Sequence, residues 1–206
     1  MTLYLVRHGE TDYNRQFIVQ GSGVNSDLND IGRRQAQDFF DTYRHVPFDT
    51  IFISTLKRTR QTLAPFILRG SIPVIETADL NEISWGIHEG QKATKETATT
   101  FNALMAAWMS GNYHERLPEG ESAAELYERT SRFVAHLKAA YRGKHVLVCT
   151  HGRTLLCLLT ILKQVPLSTM NDFKHQNTGV YRAHFRDDVF HFDLENDVQH
   201  LVSLNS

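Results

Sequence analysis

The sequence predicts an α/β fold: a three-layer sandwich with a mostly parallel central sheet, an antiparallel edge, and helices on both faces. Short apolar runs alternate with longer segments of helical period, the rhythm of parallel strands joined by crossover helices. Late in the chain, two alternating runs at 180–185 and 189–194 are joined by Arg186-Asp187-Asp188. These predict a hairpin with one aromatic face (Tyr181, Phe185, Phe190, Phe192) that adds antiparallel strands at or near an edge.

Taken in order, strand signals recur at 3–6, 50–54, 72–75 and 145–150. Helical patterns cover 31–43, 56–68 and 123–141. The last opens with Ser122-Ala123-Ala124-Glu125, a capping-box signature, and carries Leu126, Thr130, Phe133, Val134, Leu137 and Tyr141 on one stripe. Glu125 therefore reads as a cap and not as a catalyst. After Gly152, Leu155, Leu156, Leu158, Leu159 and Leu162 are apolar nearly all round, as in a buried helix. The stretch 91–118 breaks the rhythm. It is rich in Thr and Ala, reads as helical, and holds Met105, Trp108, Met109, Tyr113, His114 and Arg116 before Pro118. It is expected as a lid insertion within a single domain of residues 1–206, with a packed helix whose Met and Trp belong to the core as the alternative.

Composition narrows the function classes. A formal net charge of −1 over 206 residues leaves no polyanion footprint, so nucleic acid is not an expected partner. No apolar run reaches membrane-spanning length, and a core strand at Leu3 to Val6 leaves no room for a signal peptide. Cys149 and Cys157, the two cysteines, lie in apolar segments and read as buried thiols, so a reducing cytoplasm is the expected setting. The 11 histidines are scattered, with no His-x-x-x-His or Cys-x-x-Cys spacing, and no metal is expected. His184 and His191 read as the polar face of the hairpin. His45, His136 and His200 read as surface residues. The sequence leaves a homodimer open.

Four segments carry the same kind of chemistry. Arg7-His8-Gly9-Glu10-Thr11-Asp12-Tyr13-Asn14 follows the first strand. Ser54-Thr55-Leu56-Lys57-Arg58-Thr59-Arg60-Gln61-Thr62 follows the second. Leu80-Asn81-Glu82-Ile83-Ser84-Trp85-Gly86-Ile87-His88-Glu89-Gly90 is the third, and Cys149-Thr150-His151-Gly152 follows the fourth strand. Ligands of open α/β sheets bind at the carboxyl ends of strands. Two histidines and two arginines meeting there, with glycine N–H groups and a helix start, make a pocket for a phosphoryl group. On residue type alone, Glu82 and Glu89 are both candidate acids.

These segments, in this order, resemble the histidine phosphatase superfamily, the phosphoglycerate mutase-like fold, over nearly the whole chain. Gly120-Glu121-Ser122, Gln20-Gly21, Leu28-Asn29, Gly32, Gln35-Ala36 and Asn177 add to the match. The resemblance implies that His8 is the nucleophile and forms a phosphohistidine. Arg7, Arg58 and His151 would hold the phosphoryl oxygens, and Glu82 would donate the proton while Glu89 is structural. Asn14, Gly9 and the backbone at Gly152 would complete the phosphate pocket, with Gln20, Gly21 and Thr11 as weaker lining positions. No cofactor is implied.

The physical chemistry agrees with these roles. The arginines disfavour a proton on His8, and their forks match phosphate oxygens two at a time. Glu82 must hold a proton for the leaving alkoxide and later activate water. The expected function is metal-independent hydrolysis of a small phosphorylated metabolite. The alternatives are a cofactor-dependent phosphoglycerate mutase and a non-catalytic phosphate-binding module. Against the mutase, 91–118 offers only Lys92, Lys95 and Arg116 and no Arg-Arg pair.

Overall fold

The structure is a computed structural model and describes residues 1–201; residues 202–206 of the predicted domain lie outside the described residues. The elements, in chain order, are β1 (Thr2–Arg7), α1 (Asp12–Arg15), α2 (Asp30–Tyr43), β2 (Thr50–Ile53), α3 (Lys57–Thr62), α4 (Ala64–Leu68) and β3 (Val74–Glu76). Then come α5 (Lys95–Met109), α6 (Ala123–Ala140), β4 (His145–Thr150), α7 (Gly152–Lys163), β5 (Val180–Arg186) and β6 (Val189–Asp197). The strands form one six-stranded sheet in the order β3-β2-β4-β1-β5-β6. Pairs β3–β2, β2–β4 and β4–β1 are parallel, while β5 runs antiparallel to β1 and β6 antiparallel to β5.

The period of two along each strand builds the layers. Leu3 and Leu5 of β1, Phe52 of β2 and Val146 and Val148 of β4 face one core. It is completed by Trp108 of α5, Phe133 and Leu137 of α6, and Leu155 and Leu159 of α7. Tyr4, Val6, Ile51, Ile53 and Leu147 face the opposite core, against Phe39 and Tyr43 of α2 and Phe66 of α4. Each of these side chains, taken out of water, stabilises the fold by roughly 1.5–3 kcal/mol. The central strands are thus buried on both sides, which is why they read as continuous apolar runs. On the hairpin, Tyr181, Phe185 and Phe190 are buried and Phe192 packs against them.

Several elements differ from the sequence reading. The helix expected over 56–68 is divided at Leu63 into α3 and α4, because Pro65 lacks the N–H that a continuous helix needs. The third strand is Val74–Glu76, a short edge strand starting after Pro73. Within 91–118, α5 spans Lys95–Met109 and buries Leu104, Met105 and Trp108. Those side chains belong to the core, whatever else the segment does. The Ser122–Glu125 capping box forms as read.

His200 corrects the sequence reading. It is 7% exposed, not a surface residue. Its ring centroid lies 5.7 Å from Phe39 and 6.1 Å from Tyr43, and Nε2 meets Thr178 Oγ1 at 3.2 Å. The chain beyond β6 folds back onto α2, a contact that no local pattern announces. His45 and His136 are exposed, and Cys149 and Cys157 are buried free thiols. Among the described residues, no helix is long and apolar enough to cross a membrane.

The loop after β1 crosses the first turn of α2 at backbone contact. A Cβ on Gly9 would stand 2.6 Å from the Gly32 carbonyl oxygen, and one on Gly32 would stand 2.1 Å from that of Glu10. Neither backbone can yield cheaply. Gly32→Ala should therefore destabilise the protein by roughly 1–3 kcal/mol or more. Gly143→Ala, at φ +79° with nothing within 4 Å of the added carbon, should cost only about 1 kcal/mol. Urea melts that gave the two variants equal losses would contradict this close approach.

Candidate active site

Arg7 and Thr150 are partners in the parallel β1–β4 register, so His8 and His151 leave the sheet side by side. The His8 N–H donates to the Thr150 carbonyl at 2.9 Å, and the two rings lie 5.1 Å apart. Both residues are buried. The Gly9 carbonyl can only accept, so His8 Nδ1, 2.7 Å away, carries the proton and Nε2 keeps its lone pair. The loop is fixed by Gly9 N–H donating to Thr62 Oγ1 at 2.9 Å and by Asn177 Nδ2 donating to the His8 carbonyl at 2.8 Å. Burial, then the cations Arg58 and Arg7, hold the His8 imidazole well below its usual 6.5. The ring is therefore neutral, with Nε2 unprotonated.

Arg58, on α3, is 0% exposed. Its Nη1 donates to the Val24 carbonyl at 2.7 Å, Nη2 to that of Gly21 at 3.3 Å, and Nε to His151 Nδ1 at 2.9 Å. Of its five N–H groups, these bonds use three. Burial lowers its pKa to about 10, and it remains a cation at neutral pH. Because the guanidinium can only donate, His151 Nδ1 must accept, and the proton sits on Nε2. It goes to Ser54 Oγ at 2.7 Å, which meets Thr59 Oγ1 at 3.0 Å, and Thr59 in turn donates to the Leu56 carbonyl at 2.9 Å. His151 is likewise held well below 6.5, by burial first and then by Arg58. Arg7 donates to no described residue, and its buried Nε has no partner. Burial lowers its pKa, opposed by Glu82.

Glu82 is buried at the N-terminus of α7, where unsatisfied N–H groups favour an anion. Its Oε1 accepts from the N–H of Ile83 and of Thr154, each at 3.1 Å, and from Thr154 Oγ1 at 3.2 Å; Oε2 accepts from the Arg153 N–H at 3.1 Å. A Cβ on Gly152 would stand 3.5 Å from Glu82 Oε2 and 3.0 Å from His175 Cε1, so glycine lets both side chains close over the helix start. Burial, then Arg7 and Arg153, lower the His175 pKa to about 4, and its buried Nδ1 has no partner.

Further positions that the sequence singled out are tied to these residues through their own partners. Asn14 Oδ1 accepts from the Thr11 N–H and hydroxyl, which caps α1. Gln20 bonds Thr11 Oγ1 at 2.9 Å, and Gly21 supplies the carbonyl under Arg58. Glu89 accepts from the Trp85 N–H at 2.9 Å and lies against Gly21 and Gly23, a structural place. Among the described residues, no group of three or more His, Cys, Asp or Glu could hold a metal ion.

A model of the histidine phosphatase superfamily (branch 1) matches residues 3–198. The chain belongs to this superfamily. It is 32% identical over 163 residues to a "probable phosphatase" of Schizosaccharomyces pombe (strain 972 / ATCC 24843), covering 78% of this chain and 72% of that protein. It is 28% identical to a "probable phosphoglycerate mutase GpmB" of Proteus mirabilis (strain HI4320), covering 99% and 96%. The solved α-ribazole phosphatase of Shigella flexneri superposes with a TM-score of 0.83 at 25% identity, covering 96% of each chain. The superfamily, the Schizosaccharomyces pombe relative and the solved α-ribazole phosphatase point to a phosphatase enzyme.

In this member of the superfamily, several contributors escaped the sequence reading. Ser54 and Thr59 orient His151, Thr154 and Arg153 hold Glu82, and His175 lies over Gly152. Arg153 and Thr154 follow His151 closely, and a helix start there was enough to suggest N–H donors. His175 carries no such signal; only the fold brings its loop to α7.

The neutral imidazoles make stability depend on pH. Above pH 6.5 neither the folded nor the unfolded chain protonates His8, His151 and His175, and the fold keeps its full advantage. As pH falls below 6.5, the unfolded chain takes up protons that the fold refuses, down to about pH 4 for His175. The Tm should fall through this window, beyond what the surface carboxylates produce at its lower end. A level Tm from pH 6.5 to about 5 would mean that the rings are charged in the fold.

Proposed function

We propose that this histidine phosphatase is a metal-independent phosphomonoester hydrolase that acts through a phosphohistidine on a small phosphorylated metabolite. The state of His8 carries the reading: Nδ1 is tied to the Gly9 carbonyl, Nε2 keeps its lone pair, and two guanidiniums flank the ring. Nε2 would attack phosphorus as the bond to the ester oxygen breaks. Arg7, with its donors free, and the two unused N–H groups of Arg58 would carry the charge on the phosphoryl oxygens. The His151 Nε2–H is a further donor, for which a phosphoryl oxygen competes with Ser54 Oγ. Asn14 Nδ2 and the Gly152 N–H would serve the same group, whereas the Gly9 N–H is already given to Thr62 Oγ1.

Glu82 would give its proton to the departing alkoxide, favoured by like-charge repulsion from the phosphoryl dianion. The resulting carboxylate then takes a proton from water; the hydroxide bonds phosphorus, the P–N bond breaks, and His8 is restored. In this scheme α5 and its flanks form the lid. Arg116, the single arginine of 91–118, is exposed and paired with Glu125 at 2.9 Å. The segment therefore offers no free arginine to hold a phosphate against water, which favours hydrolysis over mutase chemistry. Two buried free thiols fit a cytoplasmic setting.

His8→Ala should lower phosphate release by about a thousandfold or more while the melt stays cooperative; wild-type rates would reject the mechanism. Glu82→Gln should cost on the order of 10²–10⁴ on alkyl phosphates and far less on p-nitrophenyl phosphate, whose leaving group needs no acid. Equal losses on both would remove Glu82 from that role. Turnover should survive excess EDTA. In the same assays, bisphosphate-dependent conversion of 3-phosphoglycerate to its isomer would identify a mutase instead.

A further inference from the structure

One side chain of the site has no task in this scheme. His175 reaches the start of α7 from the loop before β5, and its buried Nδ1 has no hydrogen-bond partner among the described residues. An unpaired buried polar atom costs free energy unless a polar group meets it in the working enzyme.

Its surroundings indicate which step it serves. The position that a Cβ of residue 152 would take lies 3.5 Å from His175 Nδ1, 3.0 Å from its Cε1 and 3.5 Å from Glu82 Oε2. His175 Nδ1 and Glu82 Oε2 therefore flank one small space at the N-terminus of α7, kept open because Gly152 has no side chain. Oε2 accepts one bond there, from the Arg153 N–H, and has a second lone pair to offer. His175 also lies near enough to His8 to oppose its protonation. Burial, then Arg7 and Arg153, bring the His175 pKa down to about 4. At neutral pH the imidazole is uncharged, a hydrogen-bond partner but too weak a base to take a proton for itself.

Displacement at phosphorus runs in line. In the first step the ester oxygen departs on the face away from His8 Nε2, where Glu82 gives its proton. Water must attack the phosphohistidine along the same line, so it enters where the alcohol left, beside Glu82 and hence beside His175. A water with one O–H toward Glu82 Oε2 and the other toward His175 Nδ1 turns a lone pair to phosphorus. Held by Glu82 alone, it is free to rotate about a single hydrogen bond.

We propose that His175 is a catalytic residue of the second step: with its proton on Nε2, its Nδ1 accepts a hydrogen bond from the attacking water and, with Glu82, aims that water at the phosphohistidine. This rests on the phosphohistidine reading and deepens it. The water oxygen bonds phosphorus as its proton passes to the Glu82 carboxylate. The P–N bond breaks, its electron pair returns to His8 Nε2, and His175 neither gains nor loses a proton. Release of the alcohol, in which no water takes part, does not need it.

The test separates the two steps by rapid quench with radiolabelled p-nitrophenyl phosphate, following the acid-labile label on the protein and its decay after a chase with unlabelled ester. His175→Phe keeps a ring but offers no acceptor. It should slow the decay by about tenfold or more, while kcat/KM, which reports only the steps through alcohol release, stays within about twofold of wild type. His175→Asn, whose Oδ1 takes the place of Nδ1, should bring the decay back to within about threefold of wild type. Should His175→Phe lack a cooperative melt, His175→Ala is measured in its place. An unchanged decay in the folded variant overturns the proposal and leaves the phosphohistidine standing. A loss of kcat/KM as large as the loss in decay overturns it too, by giving His175 to phosphoryl binding. Wild-type enzyme that releases phosphate with no label on the protein overturns the phosphohistidine reading itself, and the proposal with it.

Discussion

A guanidinium without solvent governs this site. Arg58 is fully buried, and no carboxylate lies within ion-pairing distance of it among the described residues. Removing such a charge from water is costly unless nearby dipoles and hydrogen bonds replace the hydration. The replacement comes from the carbonyls of Val24 and Gly21 and from one nitrogen of His151. More distant negative charge on Glu82 and Glu89 also favours the cation. Each of these positions is thereby tied to Arg58, and with it to the loop 20–24, to α3 and to the start of α7.

The protonation of both histidines follows from burial too. Their own burial first, and then the neighbouring cations, keep His8 and His151 neutral, and their bonding partners decide which nitrogen holds the proton. For His8 the result is a free Nε2. For His151 it is an N–H aimed at Ser54 and passed on through Thr59. The same environment thus leaves one imidazole nitrogen unprotonated and orients an N–H donor. Glu82 is the counterweight, held at the start of α7 by backbone N–H groups and not by an arginine.

Packing makes this arrangement rigid. The β1–β4 register sets the two imidazoles side by side, and both strands are buried on both faces, so neither can slip by a residue without exposing its core side chains. Gly9 and Gly32 let the loop after β1 lie on α2, and Gly152 lets His175 and Glu82 meet over α7.

Much of this was legible in the linear sequence. Apolar runs of strand length, the capping box at Ser122 and the all-round leucines after Gly152 each reflect a local rule, so fold class and layer order could be read directly. Arg7, His8, Arg58, Glu82 and His151 were legible because they sit at strand ends or in motifs with defined spacing. The breaks were less so: Pro65 divides a helix that periodicity alone draws as one. What only the tertiary structure decided are contacts between segments far apart in the chain. Examples are His200 against Phe39, His175 over Gly152, and the tautomers of His8 and His151. Side-chain period reports which face a residue takes, but not which distant residue it meets. Proton positions depend on such partners, and no single segment of the chain contains them.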